Sequence, residues 1–370
     1  MNNTVLLHIV ERLEGFLGKL PDSIRNPVLS ELTPLKELFL QQRPPHFVLT
    51  GSDPMPLLEF AAAIFAEGAH EMPARETLTG LYRWQKISLG QHGSIQLLDA
   101  RGADEASLAL VHEELRRQPG DLFFFLPAEH DAKMATRREA ERLEQMLNWN
   151  SGSGAGAKLI ELRREAAEST WPLAQVPDAP AIRASLVGVF PLGRSLVAIL
   201  ANELPNEARV EMVRIGGDRE AQSQIAEMLV KSTSAICTAI GAQPIPLADL
   251  PILTSLQLVM VSGIMYISGR ERSMRAATEF IGALGANVGL GMVLREGTRA
   301  ALKFFPGWGN IVCGMVAGAG TFAIGRAATV YFIEGATLRD ARRAFVLNKK
   351  KRIALPGKKP KALRETSAKS

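Results

Sequence analysis

A chain of 370 residues, 46% hydrophobic and 22% charged, is long enough for two domains and a sizeable core. That balance excludes a disordered chain and a many-span membrane protein. The formal net charge of +5 divides unevenly, with +10 in residues 339–370 and −5 in everything before them. Cys237 and Cys313 both lie in apolar helical stretches and read as small core residues of a reducing compartment. The opening MNNTVLLHIVERLEG has no basic n-region, so a cytoplasmic chain is expected.

Residues 1–43 predict two amphipathic helices. Val5, Ile9, Leu13, Phe16 and Leu17 recur at helical spacing until Pro21 and Asp22 break the pattern. Ile24, Val28, Leu32, Leu35, Leu38 and Phe39 resume it, with kinks expected at Pro27 and Pro34. After Pro44 and Pro45 comes His46–Gly51, an apolar run ending in glycine, and then an alanine-rich helix, LLEFAAAIFAEG. Strand, glycine turn and helix is the layout of a phosphate-binding loop. A working loop has the spacing G-x-x-x-x-G-K-[ST], in which glycine admits the phosphate, lysine neutralises it and the hydroxyl binds magnesium. Laid on Gly51, those three places hold Pro56, Leu57 and Leu58, and Asp53 adds negative charge. The layout is present without the chemistry.

Ser94–Gly102 reads as a second apolar strand ending in D-x-x-G, with Asp99 and Gly102 at the defining positions. In GTPases that aspartate holds magnesium through water, and the glycine N–H senses the γ-phosphate. Leu122–Leu126 is a third strand, residues 133–148 form a charged helix, and Gly152–Gly156 is a flexible linker. Leu186–Phe190 is expected as a last edge strand, and no Asn-Lys-x-Asp guanine-reading motif follows. The six histidines show no ligand spacing with cysteines or acids.

From Leu204 helical periodicity resumes, broken at Gly216–Gly217, and Glu203, Glu207, Arg209 and Arg214 are expected to pair on a solvated face. Pro244, Pro246 and Pro251 form a stiff elbow, and Asp249 is expected to cap the helix beginning near Pro251, a gating or coupling role being the alternative. Ile252–Ser268 is an apolar run of about 17 residues, at the lower limit for spanning a bilayer. Two more apolar blocks follow, Ala276–Leu294 and Gly307–Gly325. Gly285/Gly289 and Gly314/Gly318 stand in them at the spacing that lets helix backbones approach. The six basic residues of the loop between 268 and 307 oppose true spanning, leaving a shallow hairpin at the inner face of a membrane or a soluble bundle. The tail from residue 339, including Lys349, Lys350, Lys351 and Arg352, is expected to be unfolded and attracted to anionic lipid. Nucleic acid is not expected as a partner, because no aromatic side chains interleave with these charges.

Taken with the Gly51 turn and Asp99, the blocks LPNEAR (204–209), QPIPLADLPILTSLQ (243–257) and FAIGRAATVYFIEG (322–335) resemble an Era-like GTPase domain. In the resemblance this domain is fused to the hydrophobic helical domain of unknown function found behind bacterial GTPases. It covers roughly residues 20–335 and implies an α/β P-loop GTPase-like domain, degenerate, over 44–215. An all-α apolar helical domain over 216–338 and a basic tail over 339–370 would follow. A vestigial nucleotide site would comprise Gly51, Ser52, Thr79 (at the place of a switch threonine), Asp99 and Gly102. No cofactor is expected, the alternative being weak binding of GTP and magnesium. The functional expectation is a non-catalytic regulatory or scaffold protein at the membrane, acting through a protein partner. Two alternatives stand beside it: an NTPase with a rearranged loop using Asp99 and Arg101, and a bundle that binds lipid or a small molecule.

Overall fold

Apolar on both faces and bounded by Pro45 and a glycine, His46–Gly51 (β1) takes the centre of the sheet. The structure is a computed structural model. It describes residues 22–39, 41–52, 82–89, 93–126, 133–152, 157–163, 181–185, 196–242, 249–285 and 309–353, with isolated positions that include Leu57 and Phe60. Parallel partners of β1 are Ser94–Asp99 (β3) on one side and Leu122–Leu126 (β4) on the other. Lys158–Arg163 (β5) and Ala181–Ser185 (β6) extend the sheet in parallel beyond β4. Trp84–Ser88 (β2) pairs antiparallel with β3 at the opposite edge, giving the order β2-β3-β1-β4-β5-β6. The edge strand expected at Leu186–Phe190 lies outside the described residues, as do positions 153–156 of the expected linker. Among the described residues the last strand is Ala181–Ser185.

Alternation along the strands sorts the sheet into two cores. Val48, Leu98, Phe123, Phe125 and Leu159 face Glu105–Arg117 (α2) and Lys133–Gly152 (α3). Phe47, Leu49, Ile95, Leu97, Phe124 and Ile160 face the other way. There Phe124 meets Phe47 and Phe60 edge-on, at centroid distances of 5.2 and 5.1 Å. Leu196–Glu203 (α4) and Asn206–Gly216 (α5) share this second core.

The break expected at Gly216–Gly217 is where α5 ends, with Gly217 in the left-handed region. The apolar core does not divide there. One contiguous cluster runs from the sheet through α5 into Arg219–Gly241 (α6), Asp249–Ile267 (α7), Met274–Gly285 (α8) and Gly309–Phe332 (α9). Asp22–Phe39 (α1) lies against α5 and α6 and is continuous through Pro27 and Pro34. The helical half is therefore built onto the sheet rather than tethered to it.

On α9, a Cβ at Gly314 would come within 2.6 Å of the Thr238 carbonyl oxygen, and one at Gly318 would overlap Thr238 Oγ1. These glycines let α9 lie directly on α6. A Cβ on Gly285 would meet nothing within 4 Å, so it makes no such notch, and Gly289 lies outside the described residues. Among the described residues no helix is long and apolar enough to cross a membrane.

The tail departs from expectation. Leu338–Ile353 (α10) is a helix rather than an unfolded segment, because Ala341 and Phe345, four residues apart, are buried in the core shared with α9. Lys349, Lys350, Lys351 and Arg352 thus belong to a helix, and residues 354–370 lie outside the described residues.

Candidate functional site

In an open α/β sheet, ligands bind beyond the carboxyl ends of the strands, where the chain order reverses. Here that point is the end of β1, since the connections run to β3 on one side and to β4 on the other. Gly51 stands there with φ +96°, and a Cβ would overlap the carbonyl oxygen of Leu126, so only glycine fits. Ser52 N–H donates to that same carbonyl at 3.1 Å.

Asp99 ends β3 opposite Leu49, two residues before Gly51 on the neighbouring strand, so the topology brings the two positions singled out in the sequence to adjacent strand ends. Its carboxylate is already taken. Arg101 Nε and Nη2 donate to the two Asp99 oxygens at 2.9 and 2.8 Å, and the Arg101 backbone N–H adds a bond of 3.2 Å. Both side chains are nearly buried, Arg101 13% and Asp99 11% exposed. Gly102 N–H donates to the Gly51 carbonyl at 3.0 Å. Leu57, where a phosphate loop has its lysine, packs against the apolar core. The remaining cavity, between Thr50, Ser52, Gly102, Glu139 and Arg142, measures about 40 Å³. That is water-sized, whereas ligand pockets run to roughly 300–1,000 Å³. These residues do not fit a magnesium–nucleotide group. Among the described residues the acid is paired, the sensing N–H is bonded and the cavity is water-sized. Thr79, Pro56, Leu58 and Asp53 lie outside the described residues, as does Pro246. Asp249 opens α7 as its first helical residue and Pro251 lies in its first turn, where proline is tolerated.

At the amino end of the same strands lies a larger polar cluster. Arg43 grips Asp121 with both arms at 2.7 Å, and His46 N–H donates to the same carboxylate at 2.9 Å. Beside it, Glu211 of α5 accepts from Gln42 Nε2 and from the Tyr266 hydroxyl, each at 3.0 Å. Arg214 and Arg272 lie over the Tyr266 ring, their guanidinium carbons 4.3 and 4.2 Å from its centroid. Arg272 also donates to the Phe39 carbonyl at 3.4 Å and to Gln42 Oε1. Burial, then the Glu211 charge, pushes the Tyr266 hydroxyl pKa up, and burial pulls that of Arg272 down. A cavity of about 530 Å³ opens on this cluster.

Neither a scan of protein-family models nor a search of curated proteins finds a match.

The amino-end cluster corrects the expectation of a solvated charged face. Arg214 is 13% and Glu211 11% exposed, held at the contact of α5 with α7 rather than on a solvated face. Glu203 instead pairs with Lys158 at 3.6 Å, and Arg209 donates to the carbonyls of Asn202 and Leu204. Sequence periodicity did not find Glu211, Tyr266 or Arg272. Their signal, a tyrosine near the end of a long apolar run and an arginine just after it, has meaning only once α1, α5 and α7 are known to meet. Within the bundle Cys237 is buried and its thiol pKa is pushed up to about 11, which makes it inert at neutral pH.

Proposed function

We propose that this chain is a GTPase-like protein without nucleotide chemistry, a regulatory or scaffold unit whose helical half meets a membrane surface and a protein partner. The observation that carries the reading is the Asp99–Arg101 pair. The acid that the D-x-x-G spacing would assign to magnesium is paired with the residue two positions on, and the neighbouring Gly102 N–H donates to Gly51. The mostly parallel sheet, with Gly51 and Asp99 at adjacent strand ends, is the arrangement the Era-like resemblance implies. The glycine-lined contact of α9 on α6 favours a packed helical half over an open lipid-carrying bundle.

Calorimetry with GTP, GTP analogues and ATP, with and without magnesium, tests the reading. Affinity no tighter than about millimolar, near −4 kcal/mol, is expected, with hydrolysis at background. Micromolar, magnesium-dependent GTP binding would overturn it in favour of an NTPase that uses Arg101 as a substitute cation.

A further inference from the structure

The long apolar helices turn one face into the protein and leave their other described apolar side chains half-buried, none of them fully exposed. That makes them weaker candidates for the membrane contact than an exposed helix face. Met260, Val261 and Ile264 of α7 and Ala323, Ala327 and Ala328 of α9 are all fully buried within one core. The helix that follows them has a different balance. One side of α10 is anchored: Ala341 and Phe345 are buried, Lys349 lies over the Phe345 ring, and Arg342 donates to the Ala283 carbonyl at 3.0 Å. With that side fixed, the opposite side is fixed too. It presents Arg339, Arg343 and Leu347 at i, i+4 and i+8, a single outward stripe. Arg343 is 66% and Leu347 67% exposed.

One exposed leucine is ordinary on a protein surface. Its setting is not. Leu347 ends a stripe that begins with two exposed arginines, on a helix with seven Lys/Arg against Asp340 alone. Asp340 is held in the first turn by the Thr337 hydroxyl and lies 3.6 Å from Arg343; Glu334 is exposed in the turn before the helix. Both acids are at the amino end, and the charge grows more basic towards Arg352. A surface-fixed helix with exposed arginines beside an aliphatic anchor matches a layer of anionic headgroups over acyl chains. It does not match nucleic acid, which would ask for stacking side chains among the charges.

We infer that the outward stripe of α10, Arg339, Arg343 and Leu347, is the membrane-docking surface, taking anionic phospholipid with Leu347 inserted between headgroups. This rests on the membrane-associated reading above and narrows it to one helix face, with α7 and α9 kept out of the bilayer.

The test is co-sedimentation of the full-length protein with vesicles of phosphatidylcholine mixed with phosphatidylglycerol, and of phosphatidylcholine alone. Binding to the anionic vesicles only is expected, lost at high salt where the Debye length falls to about 3 Å. Arg339→Gln with Arg343→Gln should weaken it about thirtyfold and Leu347→Ser about tenfold. Circular dichroism should show both variants as folded as the wild type, since the three side chains are exposed. Wild-type protein that ignores both vesicle types would defeat the membrane reading together with this inference. Anionic binding untouched by either variant, but removed by Lys358→Gln, Lys359→Gln and Lys361→Gln, would keep the membrane reading and overturn the assignment to α10. Equal binding to neutral vesicles would point to the apolar helices and overturn it as well. A stronger loss of oligonucleotide binding than of vesicle binding in the arginine variant would make the stripe a nucleic-acid surface.

Discussion

At the carboxyl end of the sheet, polar groups find their partners within a few residues of chain or on the adjacent strand: Arg101 holds Asp99, and Gly51 accepts from Gly102. At the amino end, partners come from far apart in sequence, Gln42, Glu211, Tyr266 and Arg272 meeting from four segments. The first arrangement closes a site; the second joins two halves of a molecule. A pair of residues two apart in the chain orients itself locally. A cluster of distant residues cannot, because each member is the reason another is oriented. The carboxyl end of the sheet thus holds a local pair, and the end facing the helical half carries the coupled charges.

The largest break in that comparison should come from Glu211→Ala. It removes the carboxylate that accepts from Gln42 and from the Tyr266 hydroxyl and that pairs with Arg214, itself only 13% exposed. Breaking a buried ionic cluster from one side costs about 3–5 kcal/mol, read as a lower urea midpoint. Glu211→Gln should lose less, since an amide oxygen still accepts from Tyr266. A loss under about 1 kcal/mol for the alanine variant would mean that the cluster does not join the halves.

At the other end the expected effect is smaller. Replacing both members of the local pair, Asp99→Asn with Arg101→Gln, should change stability by about 1 kcal/mol or less, because no charge is stranded. It should also leave nucleotide affinity where it was, since the cavity stays about 40 Å³. A destabilisation matching that of Glu211→Ala would erase the distinction between the two ends.

The comparison also explains what the sequence made legible. β1, β3 and β4 are apolar runs bounded by glycine, proline or a charged turn, and such runs are readable because burial on both faces demands them. β2, with the sequence WQKIS, escaped notice. An edge strand covered on one side tolerates Lys86 and Gln85 and loses the apolar signature. In α10 the basic run masked the Ala341–Phe345 pair that makes the segment a helix. The Gly51–Asp99 constellation could be read because motif spacing is linear. The capture of Asp99 by Arg101 could not, since a backbone turn decides whether residues two apart meet. The Glu211 cluster was invisible because the packing of three helices, rather than any local pattern, assembles it.

The smallest expected effect concerns pH at the amino end. His46 Nδ1 lies 2.9 Å from the Pro119 carbonyl oxygen and Nε2 3.0 Å from Gln118 Nε2, partners suited to a neutral ring with its proton on Nδ1. Burial first, then the Arg43 charge, lowers its pKa from the ordinary 6.5, with the Asp121 charge and the Pro119 carbonyl acting weakly the other way. The Trp84 ring, 5.4 Å away, covers one side. The unfolded chain therefore takes up a proton at a higher pH than the folded one does. The stabilisation is complete above about pH 6.5 and declines as the pH falls towards the folded value. Urea midpoints of wild type and His46→Gln, compared at about pH 7 and about pH 5, isolate this contribution from the carboxylates, which both proteins share. The wild type should lose more stability than the variant over that interval, though less than Glu211→Ala loses outright. Parallel losses in the two proteins would mean that His46 protonates in place, with Gln118 turning its oxygen towards the ring, and that the amino end tolerates one more charge than its packing suggests.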